Sequence, residues 1–510
     1  MRKKFKDIWL SVFSAILLIL AFPRTDFSFL IWVGLIPLML ALENKKKGEA
    51  FGLSYFCGVI FFAGTLYWFI YVDVLVAFVG APLLILYLAL YFGLFGFMVS
   101  AFNQTPLFFR LILLPAGWVV LEWIRAHFLT GFGWVSLAHS QYRNLPLIQI
   151  ADSTGIFGIS FLIVMVNFLG KEFIVSLRNH SRGHFKEWLL NLFIPTFILL
   201  AVVFGYGAWR LSSLQTLSSK MKVAVIQANI LQERKWQFAQ WPAIMEEYIA
   251  LTKQAARGNP ELIVWPETAF PGILWEDEAF LEKLKQLAAE IKIPLLFGSV
   301  IKDESMYYNS ALLLSEDGNI VERYDKIHLV PFGEYVPLRS LFPFLTNIVP
   351  IGDFSAGTEF TVFPSRGQFS VLICFEDAVS RLSREFVRKG ARLLINITND
   401  AWFEDSKAPF LHLQSSVFRS IENRRTLIRA ANTGVSAFID PLGRFLGGVE
   451  KEGKLTYVSG YAVSSVPLNQ EQSFYTRFGD LFVYFCFGIL FSGSVLKCWK
   501  NSIELKEISV

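Results

Sequence analysis

Three side chains of different chemistry follow one another in the only long stretch of this chain with ordinary soluble composition. A carboxylate lies in Trp265-Pro266-Glu267-Thr268, an ammonium in Tyr324-Asp325-Lys326 and a thiol in Cys374-Phe375-Glu376-Asp377. These are the parts needed for acyl transfer through a thioester. Each also has an ordinary reading. A lone Cys ending the apolar run 369–374 is most often a core residue, but Glu376 and Asp377 directly after it weigh against that, because paired acids at a strand end cap a helix or serve a site. The pattern predicts a strand-to-helix junction at Cys374, where a thiol pKa falls. Glu267 follows a short apolar run stopped by Pro266, at a strand's carboxyl end, where open α/β sheets bind ligands; otherwise it is a solvated turn. Lys326 precedes a Pro-bounded, aromatic-rich run, 327–337, with Glu334 at its middle. None of the three decides the matter alone.

The elements that must hold these residues divide sharply by composition. The chain of 510 residues is 54% hydrophobic and only 17% charged, against about 25% charged in soluble proteins. The apolar residues crowd into 1–210 and 479–498, which predicts a membrane domain over 1–212, a catalytic domain over 220–470 and a last span over 479–498. A spanning helix needs roughly 20 apolar residues, and eight runs qualify: 8–23, 27–43, 51–71, 75–101, 107–126, 157–177, 188–210 and 479–498. The second is short. The fifth contains Arg110, close enough to a helix end to snorkel to the headgroups. The basic start reads as an uncleaved first span rather than a signal peptide. With eight spans, the basic N-terminus, Lys45-Lys46-Lys47, the Arg178, Arg182 and Lys186 cluster, and Lys497 with Lys500 all fall on the cytoplasmic side. The domain between spans seven and eight then faces outward. The net charge of +5 is too small and dispersed to suggest nucleic acid. Of Cys57, Cys374, Cys486 and Cys498, only Cys374 lies in the soluble stretch, so no disulfide forms there and no zinc spacing exists. An unpaired Cys is unusual in an oxidising compartment.

Within the soluble stretch, strands are expected at 221–228, 262–265, 293–300, 310–314, 369–374 and 392–397. Helices are expected at 276–290, 377–389 and 409–430, with a turn at 316–319. This is an α/β pattern. Arg419, Arg424, Arg425 and Arg429 then share the last helix as paired structural charges, and His328 and His412 read as structural rather than as metal ligands.

Taken together, the runs Trp-Pro-Glu-Thr, Tyr-Asp-Lys and Cys-Phe-Glu-Asp resemble the Glu-Lys-Cys triad of the nitrilase superfamily, the carbon-nitrogen hydrolases. Further runs narrow the likeness: 226–229 with Trp236 downstream, 329–337, 398–403 and the segment from Gly131-Phe132-Gly133-Trp134 to Gly155-Ile156-Phe157-Gly158. With eight spans around the domain, the chain resembles the bacterial apolipoprotein N-acyltransferase family over essentially its whole length. The resemblance implies an α-β-β-α sandwich on a helical bundle in the bacterial inner membrane, with no cofactor and no metal. It implies a ping-pong N-acyltransferase: Glu267 as general base, Cys374 as nucleophile and Lys326 facing the oxyanion. The acyl donor is a glycerophospholipid, typically phosphatidylethanolamine, and the acceptor is the α-amine of a diacylglyceryl-cysteine at an apolipoprotein N-terminus. Trp236, Glu334 and Glu376 match positions the family uses around the site. Phe375 stands where Tyr is often found, so ring packing carries over and a hydroxyl does not. Asn399 and Asp400 follow a strand end and are expected to order the site.

Both substrates carry long chains, each exposed methylene costing roughly 0.8 kcal/mol, so the site should open at membrane level. The apolar segments 269–275 and 341–345 could form lids touching lipid, or pack on the domain. Two rivals remain: a membrane-anchored amidase using water as acceptor, and a transporter or sensor with an outward domain. The second predicts charges lining a path, and the spans carry almost none away from their ends.

Overall fold

Apolar helices build one part of the protein and two packed sheets the other. The computed structural model describes residues 2–73, 76–178, 182–213, 219–235, 237–336 and 353–508. The chain divides into two compact units: Met1–Ser212 with Phe478–Val510, and Ser213–Arg477.

In the first unit, five helices among the described residues are long and apolar enough to cross a membrane: Lys47–Tyr71, Val76–Ala101, Leu107–His127, Phe157–Arg178 and Phe185–Ser213. Two shorter apolar helices, Ser28–Ala41 and Leu481–Lys497, lie beside the limit, and Arg2–Leu20 opens the chain. The second predicted span is broken: Ser28–Leu30, Ile31–Gly34 and Ile36–Ala41 are separate short turns of helix, with Pro37 in the first turn of the last. Arg110 departs from its expected place. It is buried rather than snorkelling, with Nη2 3.4 Å from Glu172 Oε1 and its guanidinium 5.1 Å from the Phe168 ring. A neighbouring helix that offers a carboxylate removes the reason to reach for headgroups.

The second unit is a sandwich of two sheets. Strands β1 (Lys220–Gln227), β2 (Leu262–Val264), β3 (Leu295–Asp303), β4 (Met306–Leu314), β5 (Ile320–Asp325) and β11 (Gly460–Pro467) form the first sheet, in the order β11-β1-β2-β3-β4-β5. Strands β6 (Phe369–Ile373), β7 (Leu393–Thr398), β8 (Thr426–Ala431), β9 (Ala437–Ile439) and β10 (Phe445–Gly448) form the second, in the order β10-β9-β8-β7-β6. The β1–β2–β3 and β6–β7–β8 pairings are parallel. Parallel strands buried on both faces read as continuous apolar runs, as Leu262–Val264, Phe369–Ile373 and Leu393–Thr398 do. β1 meets β8 and β4 meets β6 between the layers.

Helices Trp241–Ala256 and Glu278–Ile291 cover the first sheet. The second of these buries Leu281, Leu284, Leu287 and Ala288 on one stripe against Ile263, Leu295 and Phe297, the spacing of an amphipathic helix. Helices Ser380–Arg388 and Ala408–Asn423 cover the second sheet.

Two expectations are corrected here. The predicted helix 409–430 ends at Asn423, because Arg424 turns left-handed (φ 50°) and Thr426–Ala431 continues as central strand β8. A central strand, here parallel to β7 and antiparallel to β9, accepts an apolar run that, read alone, continues a helix. The helix expected from 377 starts at Ser380, after a 3-10 turn at Cys374–Ala378. The segment 269–275 packs as core, with Ala269, Phe270 and Leu274 buried and only Trp275 substantially exposed. The other candidate lid, 341–345, lies outside the described residues.

Candidate active site

Strand ends supply the site. Glu267 follows β2 by way of Trp265 and Pro266, Lys326 directly follows β5, Cys374 directly follows β6, and Asn399 and Asp400 follow β7. All sit at carboxyl ends of strands, where the ladder stops and side chains are free to converge.

Cys374 has φ 52°, a left-handed backbone that a non-glycine residue adopts only when its surroundings hold it. Those surroundings are on either side. Asn396 Nδ2 donates to the Leu372 and Cys374 carbonyls at 3.1 and 3.0 Å, and His412 Nε2 lies 3.1 Å from the Cys374 carbonyl oxygen. Glu376, fully buried, reaches back to accept from Ile373 N at 2.7 Å and forward to accept from Ile327 N and His328 N at 2.8 and 3.0 Å. The Tyr324 hydroxyl donates to it as well, at 2.9 Å. One carboxylate thus fixes both the Cys374 turn and the chain leaving Lys326. Burial pushes its pKa up to about 7, and the backbone donors act against that rise.

Lys326 is 1% exposed. Its Nζ lies 2.8 Å from Glu334 Oε2 and 3.9 Å from Glu267 Oε1. Burial acts to lower its pKa, but Glu334, Glu267 and Cys374 outweigh that and raise it, so it remains an ammonium. Glu334 also accepts from Asn309 Nδ2 and from Val330 N, both at 2.8 Å. Glu267 accepts from Asn309 Nδ2 at 2.7 Å and from Asn399 N at 2.9 Å. Desolvation raises the Glu267 pKa, Lys326 lowers it and Glu334 raises it, and the net direction is up.

The thiol differs from the expectation of a lowered pKa. Burial, then the charge of Glu267, push the Cys374 thiol well above its ordinary value, with Lys326 pulling the other way. The helix that was to lower it starts only at Ser380, and a five-residue 3-10 turn stands in between. A neutral thiol beside a carboxylate of raised pKa needs that carboxylate as its base.

The other predicted residues fall as follows. Asn399 serves through its backbone N–H, while its amide bridges Gln232 Oε1 and Asn432 Nδ2, each at 2.9 Å. Asp400 Oδ1 lies 3.0 Å from His412 Nδ1, and its Oδ2 accepts from Arg429 Nη2 at 3.0 Å. Phe375 stacks over His328, centroids 6.1 Å apart. Trp236 lies outside the described residues; its neighbour Lys235 is buried and donates to the Thr268 carbonyl at 3.1 Å. Burial lowers the Lys235 pKa to about 8, and Glu267 acts to raise it.

Asn309, which bridges the two acids, escapes a sequence reading, as does the placing of His412 and Asp377 beneath Cys374 and of Arg429, a paired structural charge as expected, which joins Asp377, Asp400 and Asn396 at 3.2, 3.0 and 2.7 Å. The available signal is a polar residue within an otherwise apolar run, as at Asn309 and Arg429. The remaining arginines serve the frame: Arg419 pairs with Glu422, and Arg424 and Arg425 donate to buried carbonyls.

Two family models match the chain: the apolipoprotein N-acyltransferase N-terminal domain over residues 14–169, and carbon-nitrogen hydrolase over 222–467. An apolipoprotein N-acyltransferase of Geobacter metallireducens is 39% identical, covering 94% of this chain and 93% of its own. This chain belongs to the apolipoprotein N-acyltransferase family. The family's protein from Chlorobaculum tepidum is 30% identical over 95% of both chains. A solved amidase of the nitrilase superfamily from Nesterenkonia sp. AN1 is similar at 18% identity, covering 52% of this chain and 96% of its own with a TM-score of 0.39. In the family's terms, the first matched domain falls on the apolar helices and the second on the two-sheet unit that holds Glu267, Lys326 and Cys374.

Proposed function

We propose that this protein transfers an acyl chain from a glycerophospholipid to the α-amine of the diacylglyceryl-cysteine of an apolipoprotein, through a thioester on Cys374. The observation that carries this reading is the cluster of buried Glu267 and Lys326 with the half-buried Cys374 in a chain of the apolipoprotein N-acyltransferase family. Glu267 takes the thiol proton as Cys374 Sγ attacks the donor's ester carbonyl. The tetrahedral oxyanion faces the Lys326 ammonium. As it collapses, the C–O bond to glycerol breaks, Glu267 returns the proton to the leaving oxygen and a lysophospholipid departs. The acceptor amine then attacks the thioester, losing its proton to Glu267, and Cys374 leaves as the thiol. Glu334 and Asn309 keep Lys326 and Glu267 in register during both halves.

Phosphatidylethanolamine is the proposed donor. The proposed topology is eight spans with the catalytic unit on the outer side of the bacterial inner membrane, supported by the basic clusters at one set of helix ends. Incubating purified protein with radiolabelled phospholipid should yield a hydroxylamine-sensitive protein adduct that an acceptor lipopeptide discharges. An adduct that still accumulates on Cys374→Ala would sink the thioester route. Release of free fatty acid at the same rate with and without acceptor would favour the amidase-like use of water.

A further inference from the structure

Parallel pairing of Ile373 with Ile397 sets the next residues of the two strands side by side. Thr398, fully buried at the end of β7, is thereby the strand neighbour of Cys374, and its hydroxyl acts to lower the pKa of that thiol. The same hydroxyl oxygen lies 3.3 Å from Asp400 Oδ1. A threonine hydroxyl has one proton to donate, so it cannot serve the thiolate and the carboxylate at once. Asp400 does not depend on it. His412 Nδ1 and Arg429 Nη2 both lie 3.0 Å from its oxygens, and these cations hold its pKa below the ordinary range despite burial.

Resting on the thioester reading above, we propose that Thr398 is a catalytic residue: its hydroxyl faces Asp400 while the thiol is neutral and turns to donate to Sγ when Glu267 removes the thiol proton. No proton leaves Thr398. It changes acceptor, and the negative charge that appears on sulfur gains a donor besides the Lys326 ammonium. Hydrogen bonds to a charged acceptor are about twice as strong as neutral ones, so the turn favours the thiolate over the thiol. Asp400 tolerates the loss because its two cationic partners stay in place.

Among the described residues, the charged groups that face Cys374 come from three strand ends. Glu267 comes from the loop after β2, Lys326 from directly after β5 with its partner Glu334 from the loop beyond, and Asp400 from the end of β7. His412 on the helix Ala408–Asn423, with Asp377 and Arg429, forms the layer behind. Substituting Thr398 leaves all of these charges unchanged, so a change in thiol titration reports on the hydroxyl.

The test measures alkylation of the Cys374 peptide by iodoacetamide against pH, by mass spectrometry on the full-length protein in detergent. Thr398→Val keeps the side-chain shape without the hydroxyl. Its profile should move to higher pH by about one unit, making alkylation at neutral pH roughly tenfold slower with the same high-pH plateau. Thr398→Ser should keep the wild-type profile. Should the Val variant fail to fold, Thr398→Ala carries the same expectation. A hydroxyl-free variant whose profile overlays wild type, or a Ser variant that shifts as far as the Val variant, overturns the role of Thr398. Neither result bears on the thioester itself, whose failure would show instead as an acyl adduct on Cys374→Ala.

Discussion

Replacing Lys326 by Met removes the ammonium between two buried carboxylates, and the structure sets the size of the effect. Lys326 Nζ is 3.9 Å from Glu267 Oε1 and 2.8 Å from Glu334 Oε2, while Asn309 Nδ2 donates to both acids. At an effective dielectric near 20, a unit charge at that distance from Glu267 is worth about 4 kcal/mol, or roughly 3 pH units. The sign follows from the role of each group. Burial already raises the Glu267 pKa and Lys326 lowers it, so the variant's Glu267 carboxyl rises further. A general base must be deprotonated to act. The acid limb of the pH–rate profile should therefore move to higher pH, by up to roughly 3 units. Loss of the oxyanion partner should also depress the height of the profile, by roughly 100- to 1000-fold. Height alone does not separate a displaced base from a missing electrophile; position does. The assay is single-turnover formation of the acyl adduct from radiolabelled phospholipid, scanned from mildly acidic to basic pH. An acid limb that stays where wild type has it, at whatever height, would refute the coupling of Lys326 to Glu267.

Two further perturbations test the frame around the site. A Cβ on Gly298 would lie 2.7 Å from Glu267 Cα, Pro266 O and Thr268 N, all of them backbone. Gly298→Ala should displace the carboxylate and lower turnover about 100-fold with only a small change in melting temperature; near-normal turnover would show that the Glu267 loop is not fixed by that strand. His412 lies between Asp377 and Asp400, which raise its pKa to about 9 against burial and Arg429. A raised folded-state pKa stabilises the fold fully below the unfolded value of about 6.5 and is lost as pH rises through about 9. His412→Asn should therefore be less stable than wild type by on the order of 3 kcal/mol at mildly acidic pH, with the gap closing toward pH about 9. Thermal melts of both proteins across that window check it, and a gap independent of pH would mean that His412 is neutral in the fold.

Much of the frame is legible in the chain because short-range chemistry writes it. The apolar runs of β2, β6 and β7 can only be buried strands between layers, and the stripe of Leu281, Leu284 and Leu287 can only face a sheet. Boundaries fail where neighbours decide. Nothing local tells the end of a helix at Asn423 from its continuation through Thr426–Ala431, since the choice depends on β7 offering an open ladder edge. Arg110 likewise looks free to reach headgroups until Glu172 arrives from another helix.

By itself the sequence singled out three candidate groups and their order: a carboxylate after a proline, an ammonium, and a thiol followed by two acids, in a chain with helices apolar enough to cross a membrane. Composition and spacing suffice for that, because the covalent chemistry belongs to the side chains. What only the tertiary structure decided is the electrostatic state of those groups. Expected to be lowered by a helix N-terminus, the Cys374 thiol is instead raised by burial and by Glu267, and a 3-10 turn stands where the helix was to begin. Asn309 from β4, His412 from a covering helix and Arg429 from β8 enter from places far apart in the chain. A pKa depends on dielectric and on charges a few ångströms away, and those distances exist only once the two sheets have closed on each other.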